Sequence, residues 1–193
     1  MLSLYSYMPE LTAGILVYDN VEALDFAGPY EVMSAARLPE APEYKDPCPF
    51  SIHIVSEYPR PVRVMGGMKV VPDSDIERCP HLDILIVPGG LGERWESNNH
   101  VIQYFLRTRS KTVKTLASVC TGAFFLCKSG LLDGRKATTH RLSLERLRDA
   151  CPETEVVEGE RFVEDGNIIT SAGISVGIDM TLYIVSTHLG EET

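Results

Sequence analysis

The sequence lacks most of the features that mark secreted, membrane-spanning and nucleic-acid-binding proteins. Its 193 residues include only five cysteines, an odd number at irregular spacings with no C-x-x-C pair. We therefore expect neither a disulfide framework nor a cysteine-rich zinc site, and we expect a reducing cytoplasm as the compartment. No run of about 18 apolar residues is present, so no membrane span is predicted. The net charge of −9 argues against direct binding to nucleic acid or anionic lipid.

Motifs that bind cofactors are missing as well. The chain contains no G-x-G-x-x-G, no G-x-x-x-x-G-K-[ST] and no H-E-x-x-H, so neither a nucleotide cofactor nor a metal is predicted. Residues 1–10 lack the basic and long apolar segments of a secretory signal, and we interpret them as a short N-terminal extension. The length fits a single domain over residues 1–193.

Apolar periodicity predicts an α/β fold. Several short segments are apolar throughout, as strands buried on both faces are, and they alternate with segments at helical spacing. The predicted strands are 11–18, 50–55, 82–87, 115–120, 135–139, 155–158 and 161–170, with a hairpin in 61–72. The predicted helices are 29–37, 97–110, the segment after Cys120, 142–150 and 174–189. The core face of the last helix is expected to carry Ile174, Ile178, Leu182, Val185 and Leu189. This order predicts a flavodoxin-like three-layer sandwich, with a mostly parallel sheet between two layers of helices.

The most informative segment is Thr115–Leu126, TLASVCTGAFFL. An apolar strand ends at Cys120, and a Thr-Gly pair leads at once into a second apolar run, typical of a helix. Such a nucleophile elbow holds the thiol out of the sheet, while the first N–H groups of the helix point at the sulfur. Both effects favour the thiolate, so the sequence predicts cysteine chemistry here. The other four cysteines are expected to be small, partly buried side chains: Cys48, Cys79, Cys127 and Cys151.

Asp25 is a carboxylate among apolar neighbours in the predicted loop 19–28. Its carboxyl either caps the helix predicted from Pro29 or faces the thiol. In the second case two acidic groups share one water-poor site, so one of them keeps a proton and Asp25 can act as a general acid. Glu31, further along the chain, is expected to be an ordinary polar position of the helix.

Two further segments fall where parallel strands end, which is the edge at which open α/β sheets bind ligands. Gly89 and Gly90 follow the strand 82–87. They either form only a tight turn or also bring a bare N–H close to a substrate. In the second case the N–H groups of Gly90 and Thr121 form an oxyanion hole. His140 comes at the end of the strand 135–139 and is either structural or part of the site.

Five segments together resemble the ThiJ/PfpI superfamily of class I glutamine-amidotransferase-like domains: ILVYDNVEALDFAGPYEV, ILIVPGG, SVCTGAFFL, LLDGRKATTH and ITSAGISVGIDMTLYIV. The resemblance extends from about Leu11 to Leu189 and is greatest to the isonitrile hydratase-like branch. That branch also supplies the sensor domains of some AraC-type transcription regulators. The resemblance implies a homodimer that binds a small-molecule substrate.

The resemblance also implies a reaction, the hydration of an isonitrile, R–N≡C, to an N-substituted formamide. In it the Cys120 thiolate attacks the terminal carbon to give a thioimidate. Asp25 protonates that carbon and then helps water to attack it, and Thr121 orients the substrate or the water. The chain departs from the family pattern in two places. Arg141 stands where an aromatic residue is frequent, and the loop Pro39–Pro49 is long.

Other functions fit the same sequence, because one fold serves many purposes. A ligand-sensing protein that keeps the elbow without turnover is the second hypothesis. A redox or 2-oxoaldehyde-handling cysteine protein is the third, although the branches with those activities usually have Glu where Asp25 stands. A protease is the weakest hypothesis, since no matched Cys-His pair occurs at the elbow.

Overall fold

A seven-stranded sheet forms the centre of the computed structural model, which describes residues 11–193. The predicted extension, residues 1–10, lies outside the described residues. The described strands are β1 (Leu11–Leu16), β2 (Phe50–Ser56), β3 (Val62–Arg63), β4 (Lys69–Val70), β5 (Ser74–Asp75), β6 (Ile84–Val87), β7 (Thr115–Val119), β8 (Lys136–Ala137), β9 (Glu155–Val156), β10 (Phe162–Asp165) and β11 (Ile168–Ser171). In the main sheet they follow the order β10-β11-β7-β6-β1-β2-β5.

The order of the strands reverses between β1 and β6. β2 and β5 follow β1 on one side, whereas β6, β7 and β11 extend from its other side. Every neighbouring pair is parallel except β10 and β11. The mostly parallel sheet predicted from the sequence is therefore confirmed. A reversal of this kind makes the loops on either side of it diverge, which opens a crevice at the carboxyl ends of the strands.

Two small sheets lie beside the main one. β3 and β4 form an antiparallel hairpin around two glycines with positive φ, as predicted for residues 61–72. β8 pairs in parallel with β9. The turn between β10 and β11 contains Gly166 at φ +66°, in agreement with the hairpin signal of the sequence.

Helices cover both faces of the main sheet. They are α1 (Ala23–Ala35), α2 (Glu93–Glu96), α3 (His100–Arg109), α4 (Ala123–Lys128), α5 (Leu144–Ala150) and α6 (Val176–Leu189). α1 packs with α6, whereas α4 packs with α2, α3 and α5. The predicted three-layer α/β sandwich is therefore confirmed. Within residues 11–193, no helix combines the length and the apolar character that crossing a membrane requires.

Two helices begin elsewhere than predicted. α1 begins well before Pro29, which lies inside the helix, and the predicted loop 19–28 is correspondingly shorter. Buried residues occur on several sides of α1, because it packs against both the sheet and α6, so periodicity gave no boundary. α3 is capped by Asn99, whose side chain accepts an N–H of the first turn, and not by Ser97.

The buried face of α6 also differs from the prediction. Ile174 and Leu182 were expected to face the core, but they are 39% and 54% exposed, and Ile174 precedes the first residue of α6. The residues that face the core are Gly177, Met180, Thr181, Ile184 and Val185. α6 is apolar on most of its surface, so two faces fitted the same spacing. Gly177 decides which face is buried, because only a residue without a Cβ lets α6 lie this close to the sheet. An added Cβ there would lie 2.8 Å from the Val119 side chain on β7.

Cys127 and Cys151 are paired as a disulfide, with their Cα atoms 6.0 Å apart. The expectation that the chain forms no disulfide is wrong for these two residues. They join the end of α4 to the residue after α5, two helices that pack against each other. Cysteine spacing could not indicate this pairing, because the contact depends on how the two helices pack. Cys48, Cys79 and Cys120 are thiols.

Substitutions on α6 test which face is buried. Ile184 is 1% exposed, so Ile184→Ala is expected to lower the free energy of unfolding by about 2–5 kcal/mol. Leu182→Ala, the matched control two residues away, is expected to change it by less than about 0.5 kcal/mol. Urea unfolding followed by circular dichroism measures both values. If Leu182→Ala lowered the free energy of unfolding more than Ile184→Ala, the buried face predicted from the sequence would be supported instead.

Candidate active site

Three chain segments converge at the carboxyl edge of the sheet, where the strand order reverses. They are the loop from β1 into α1, the P-G-G segment after β6 and the turn after β7. The first two are joined by the Glu22 N–H, which donates to the Gly89 carbonyl oxygen at 2.9 Å. The last two approach so closely that an added Cβ at Gly122 would lie 2.0 Å from the Val87 carbonyl oxygen. Glycine at position 122 is therefore required for this approach.

Cys120 occupies a strained turn between β7 and α4. Its φ is +57°, in the left-handed region that costs a non-glycine residue about 1–2 kcal/mol. The turn continues as a short 3-10 helix, Cys120–Gly122, that leads directly into α4. The Thr139 hydroxyl donates to the Cys120 carbonyl oxygen at 2.8 Å and holds the turn in place. The predicted strand–turn–helix geometry is confirmed, and the cysteine side chain lies at its apex.

Asp25 lies in the first turn of α1 and is fully buried. It does not cap the helix, because the N-cap position is Glu22. Its Oδ2 accepts the Gly89 N–H at 3.0 Å, whereas its Oδ1 is buried and has no hydrogen-bond partner among the described residues. The Cys120 thiol lies close enough for the two groups to shift each other's pKa, although no well-aligned hydrogen bond joins them. The structure thus brings Asp25 and Cys120 together.

Burial controls the protonation of this pair. It raises the pKa of Asp25 to about 7, against the opposing effect of the Gly89 N–H. Burial, followed by the charge of Asp25, raises the pKa of the Cys120 thiol to about 12, against the opposing effect of the Thr121 N–H. These pKa values agree with the expectation that one acidic group keeps its proton. They do not favour the thiolate expected at the elbow, because loss of hydration outweighs the effect of the helix end.

The backbone donors of the P-G-G segment are engaged within the site. The Gly90 N–H donates to Thr121 Oγ1 at 3.1 Å, and the Gly89 N–H holds Asp25. The predicted oxyanion hole of Gly90 and Thr121 is therefore not formed in this arrangement. An added Cβ at Gly89 would lie 2.6 Å from both the N and the Oγ1 of Thr121. Both glycines thus position side chains of the site, which requires the close approach that glycine allows.

A cavity of about 530 Å³ opens over Cys120. Its lining residues are Glu22, Met65, Gly90, Leu91, Glu93, Arg94, Cys120, Thr121, His140, Leu142, Ser143, Arg146 and Ile174. His140 reaches the cavity as predicted, whereas Arg141 and the loop Pro39–Pro49 do not line it. Asp25 lies behind the sulfur and not on the cavity wall. Within residues 11–193, no three His, Cys, Asp or Glu side chains converge as metal ligands do.

An ion pair between Glu93 and Arg146 forms one wall of the cavity and was not predicted from the sequence. Glu93 is 2% exposed, and its carboxylate accepts from both terminal nitrogens of Arg146, the shorter distance being 2.6 Å. The guanidinium also lies over the ring of Phe124, 3.6 Å from its centre. The pair links α2 to α5 across α4. Its partners lie far apart in the chain, so spacing could not reveal it.

Tyr18 and Thr139 support the site and were also missed. The Tyr18 hydroxyl donates to the Pro88 carbonyl oxygen at 2.8 Å, and its ring packs against Phe125. Burial raises the pKa of Tyr18 well above its usual value, so the hydroxyl keeps the proton that it donates in this bond. Thr139 directly precedes His140 in the A-T-T-H segment, which is the signal that could have identified it.

The fold is a three-layer α/β sandwich with a strained cysteine turn at the carboxyl edge of its sheet. A buried carboxyl lies beside the sulfur. Together these features define a class of α/β proteins whose functional site contains a single thiol. The model of the DJ-1/PfpI family matches residues 12–187, and the chain belongs to this family. The resemblance stated from the motifs is therefore confirmed.

Two curated relatives have different functions. The isonitrile hydratase of Pseudomonas putida is 33% identical over 184 residues, which are 95% of this chain and 74% of that protein. The HTH-type transcriptional regulator GbdR of Pseudomonas aeruginosa is 29% identical over 180 residues, or 93% of this chain. The matched region is only 47% of the regulator's length. Family membership therefore does not by itself decide between catalysis and regulation.

Solved structures agree with the fold. A ThiJ/PfpI family protein from Pseudomonas syringae is 26% identical with a TM-score of 0.82, covering 100% of this chain and 77% of the other. DJ-1beta of Drosophila melanogaster is 20% identical with a TM-score of 0.80, covering 95% of this chain and 92% of the other. The second likeness concerns the fold alone.

The raised pKa of Asp25 makes a prediction about stability. The folded protein holds this proton up to about pH 7, whereas an unfolded aspartate loses it near pH 4, so the free energy of unfolding falls as the pH rises through that interval. In Asp25→Asn this loss is absent. Relative to wild type, the variant is therefore expected to gain on the order of 2–4 kcal/mol between pH 4.5 and pH 8.

Urea unfolding at the two pH values measures this difference. The exposed Asp149 on α5 provides the control, and Asp149→Asn is expected to track the wild type at both pH values. A constant difference between Asp25→Asn and wild type would mean that the buried carboxyl keeps an ordinary pKa.

Proposed function

We propose that the protein adds water to isonitriles, R–N≡C, to give N-substituted formamides, with Cys120 as the nucleophile. The observation that carries the proposal is the buried Asp25 carboxyl, with a pKa of about 7, beside the Cys120 thiol at the base of a cavity. The 33% identity to an isonitrile hydratase supports the substrate class. The apolar side chains of Met65, Leu142 and Ile174 on the cavity wall suit the R group.

The first step adds the S–H bond of Cys120 to the isonitrile carbon. The protonated form of Asp25 donates its proton to that carbon, and the carbon then bonds to the sulfur. The resulting carboxylate accepts the thiol proton, so Asp25 ends in its starting state and the product is the thioimidate R–N=CH–S–Cys120. A carboxyl that titrates near pH 7 suits a group that must both give and accept a proton.

The second step hydrolyses the thioimidate. The water oxygen bonds to the carbon and the C–S bond breaks. One water proton ends on nitrogen and the other on sulfur, which releases R–NH–CHO and restores the thiol. The hydroxyl of Thr121, held by the Gly90 N–H, lies on the cavity wall where it can orient the isonitrile or the water.

Turnover of cyclohexyl isonitrile tests the proposal. Cys120→Ala is expected to lower kcat/KM by at least about 10³-fold because the covalent intermediate cannot form, and Asp25→Asn by roughly 10²–10⁴-fold because the proton relay is lost. Formation of the formamide, followed by chromatography, gives the rates. Cys48→Ala, which changes a thiol outside the cavity, is the control and is expected to match wild type. Unchanged turnover in Cys120→Ala would refute the mechanism.

Ligand sensing without turnover is the second candidate function, favoured by the 29% identity to a transcriptional regulator across 93% of this chain. A protonated thiol in an open cavity is consistent with that role, since a thiol is a poor nucleophile. Its high pKa speaks against a peroxide-sensing cysteine for the same reason. Binding of isonitriles by calorimetry with no formamide produced by wild type would favour the sensor. A homodimer and a cytoplasmic location stay predictions under either function.

A further inference from the structure

Glu22 is a carboxylate on the cavity wall that the proposed reaction leaves unused. Two carboxylates line the cavity, Glu22 and Glu93. Glu93 is held by Arg146 and by the Ser97 hydroxyl, at 2.6 Å and 3.4 Å respectively. The side chain of Glu22 forms no hydrogen bond or ion pair with any residue between 11 and 193. A carboxylate without a partner beside a reacting group is free to accept a proton.

The backbone of Glu22 is fixed against the P-G-G segment. Its N–H donates to the Gly89 carbonyl oxygen at 2.9 Å, and the neighbouring Val21 forms an isolated bridge with Gly90. An added Cβ at Gly90 would lie 2.4 Å from the Glu22 nitrogen, so the two segments are in close contact. The Glu22 side chain therefore extends from a fixed backbone position and lines the same cavity as Cys120 and Thr121.

Burial separates Glu22 from Asp25, which lies one helical turn further along. Asp25 is fully buried behind the sulfur, whereas Glu22 is half-buried and lies on the cavity wall. The charge of Glu22 raises the pKa of both Asp25 and Cys120, as expected for a carboxylate near the two reacting groups. Two carboxyl groups in such different surroundings are suited to opposite roles in proton transfer.

We infer that Glu22 is the general base for the water step, so that Asp25 serves thioimidate formation and Glu22 serves thioimidate hydrolysis. This inference rests on the proposed isonitrile reaction. As the water oxygen bonds to the thioimidate carbon, the Glu22 carboxylate accepts a water proton and passes it to the nitrogen. As the C–S bond breaks, the remaining hydroxyl proton passes through the same carboxylate to the departing sulfur. Glu22 ends ionised, as it began.

The isosteric variant Glu22→Gln tests this role with cyclohexyl isonitrile. A general base contributes about 10²–10⁴-fold, so kcat is expected to fall by roughly that factor while KM does not rise. Because only the second step is slowed, the thioimidate is expected to accumulate. Rapid mixing then shows the consumption of one equivalent of isonitrile before formamide appears, and intact mass spectrometry of the quenched protein shows an increase equal to the mass of one isonitrile. Asp25→Asn is expected to show neither this rapid consumption nor the adduct.

Glu31→Gln is the matched control, since it removes the same charge from an exposed position of the same helix. It is expected to keep the wild-type rate and to give no adduct. A Glu22→Gln variant with wild-type kcat, or one with a low kcat and no adduct, overturns the role of Glu22 while wild-type turnover leaves the proposed function standing. A wild-type protein that makes no formamide overturns both.

Discussion

A carboxyl lies beside a thiol at the base of the cavity, and both side chains are buried. Because neither Asp25 nor Cys120 ionises easily there, the pair holds protons at a pH where a solvated carboxylate has none. One backbone N–H, that of Gly89, compensates only part of the lost hydration. The site therefore holds a protonated carboxyl next to the Cys120 sulfur. This arrangement favours reactions in which a proton and the sulfur add to the same substrate atom.

Maintaining that arrangement constrains the surrounding chain. Cys120 sits in left-handed backbone, a conformation that persists only where neighbours fix it. Thr139 holds its carbonyl oxygen, and Gly122 lets α4 begin directly against the end of β6. The Glu93–Arg146 pair secures the outer wall by linking α2 to α5. These contacts come from five separate regions of the chain, so the site exists only in the folded protein.

The sequence predicted those parts of the molecule that depend on local signals. Apolar strands, the P-G-G segment and the cysteine turn all have short-range patterns, and they located Asp25, Cys120, Thr121 and His140 at one edge of the sheet. The sequence did not predict features that depend on packing between segments far apart along the chain. The start of α1 and the buried face of α6 were missed because both helices are apolar on several sides. The Cys127–Cys151 pair and the bond from the Gly90 N–H to the Thr121 hydroxyl depend on how closely separate segments approach.

The pKa values of the site are compatible with both of the functions proposed above. In the proposed reaction the substrate carbon accepts the proton that Asp25 holds, and the thiol proton replaces it, so no net charge has to appear in the buried site. A ligand with no atom that can accept a proton leaves the thiol unreactive, because burial keeps its pKa at about 12. Such a ligand can fill the cavity without being converted. Whether this architecture catalyses or only binds is thus decided by the chemistry of the ligand as much as by the residues around it.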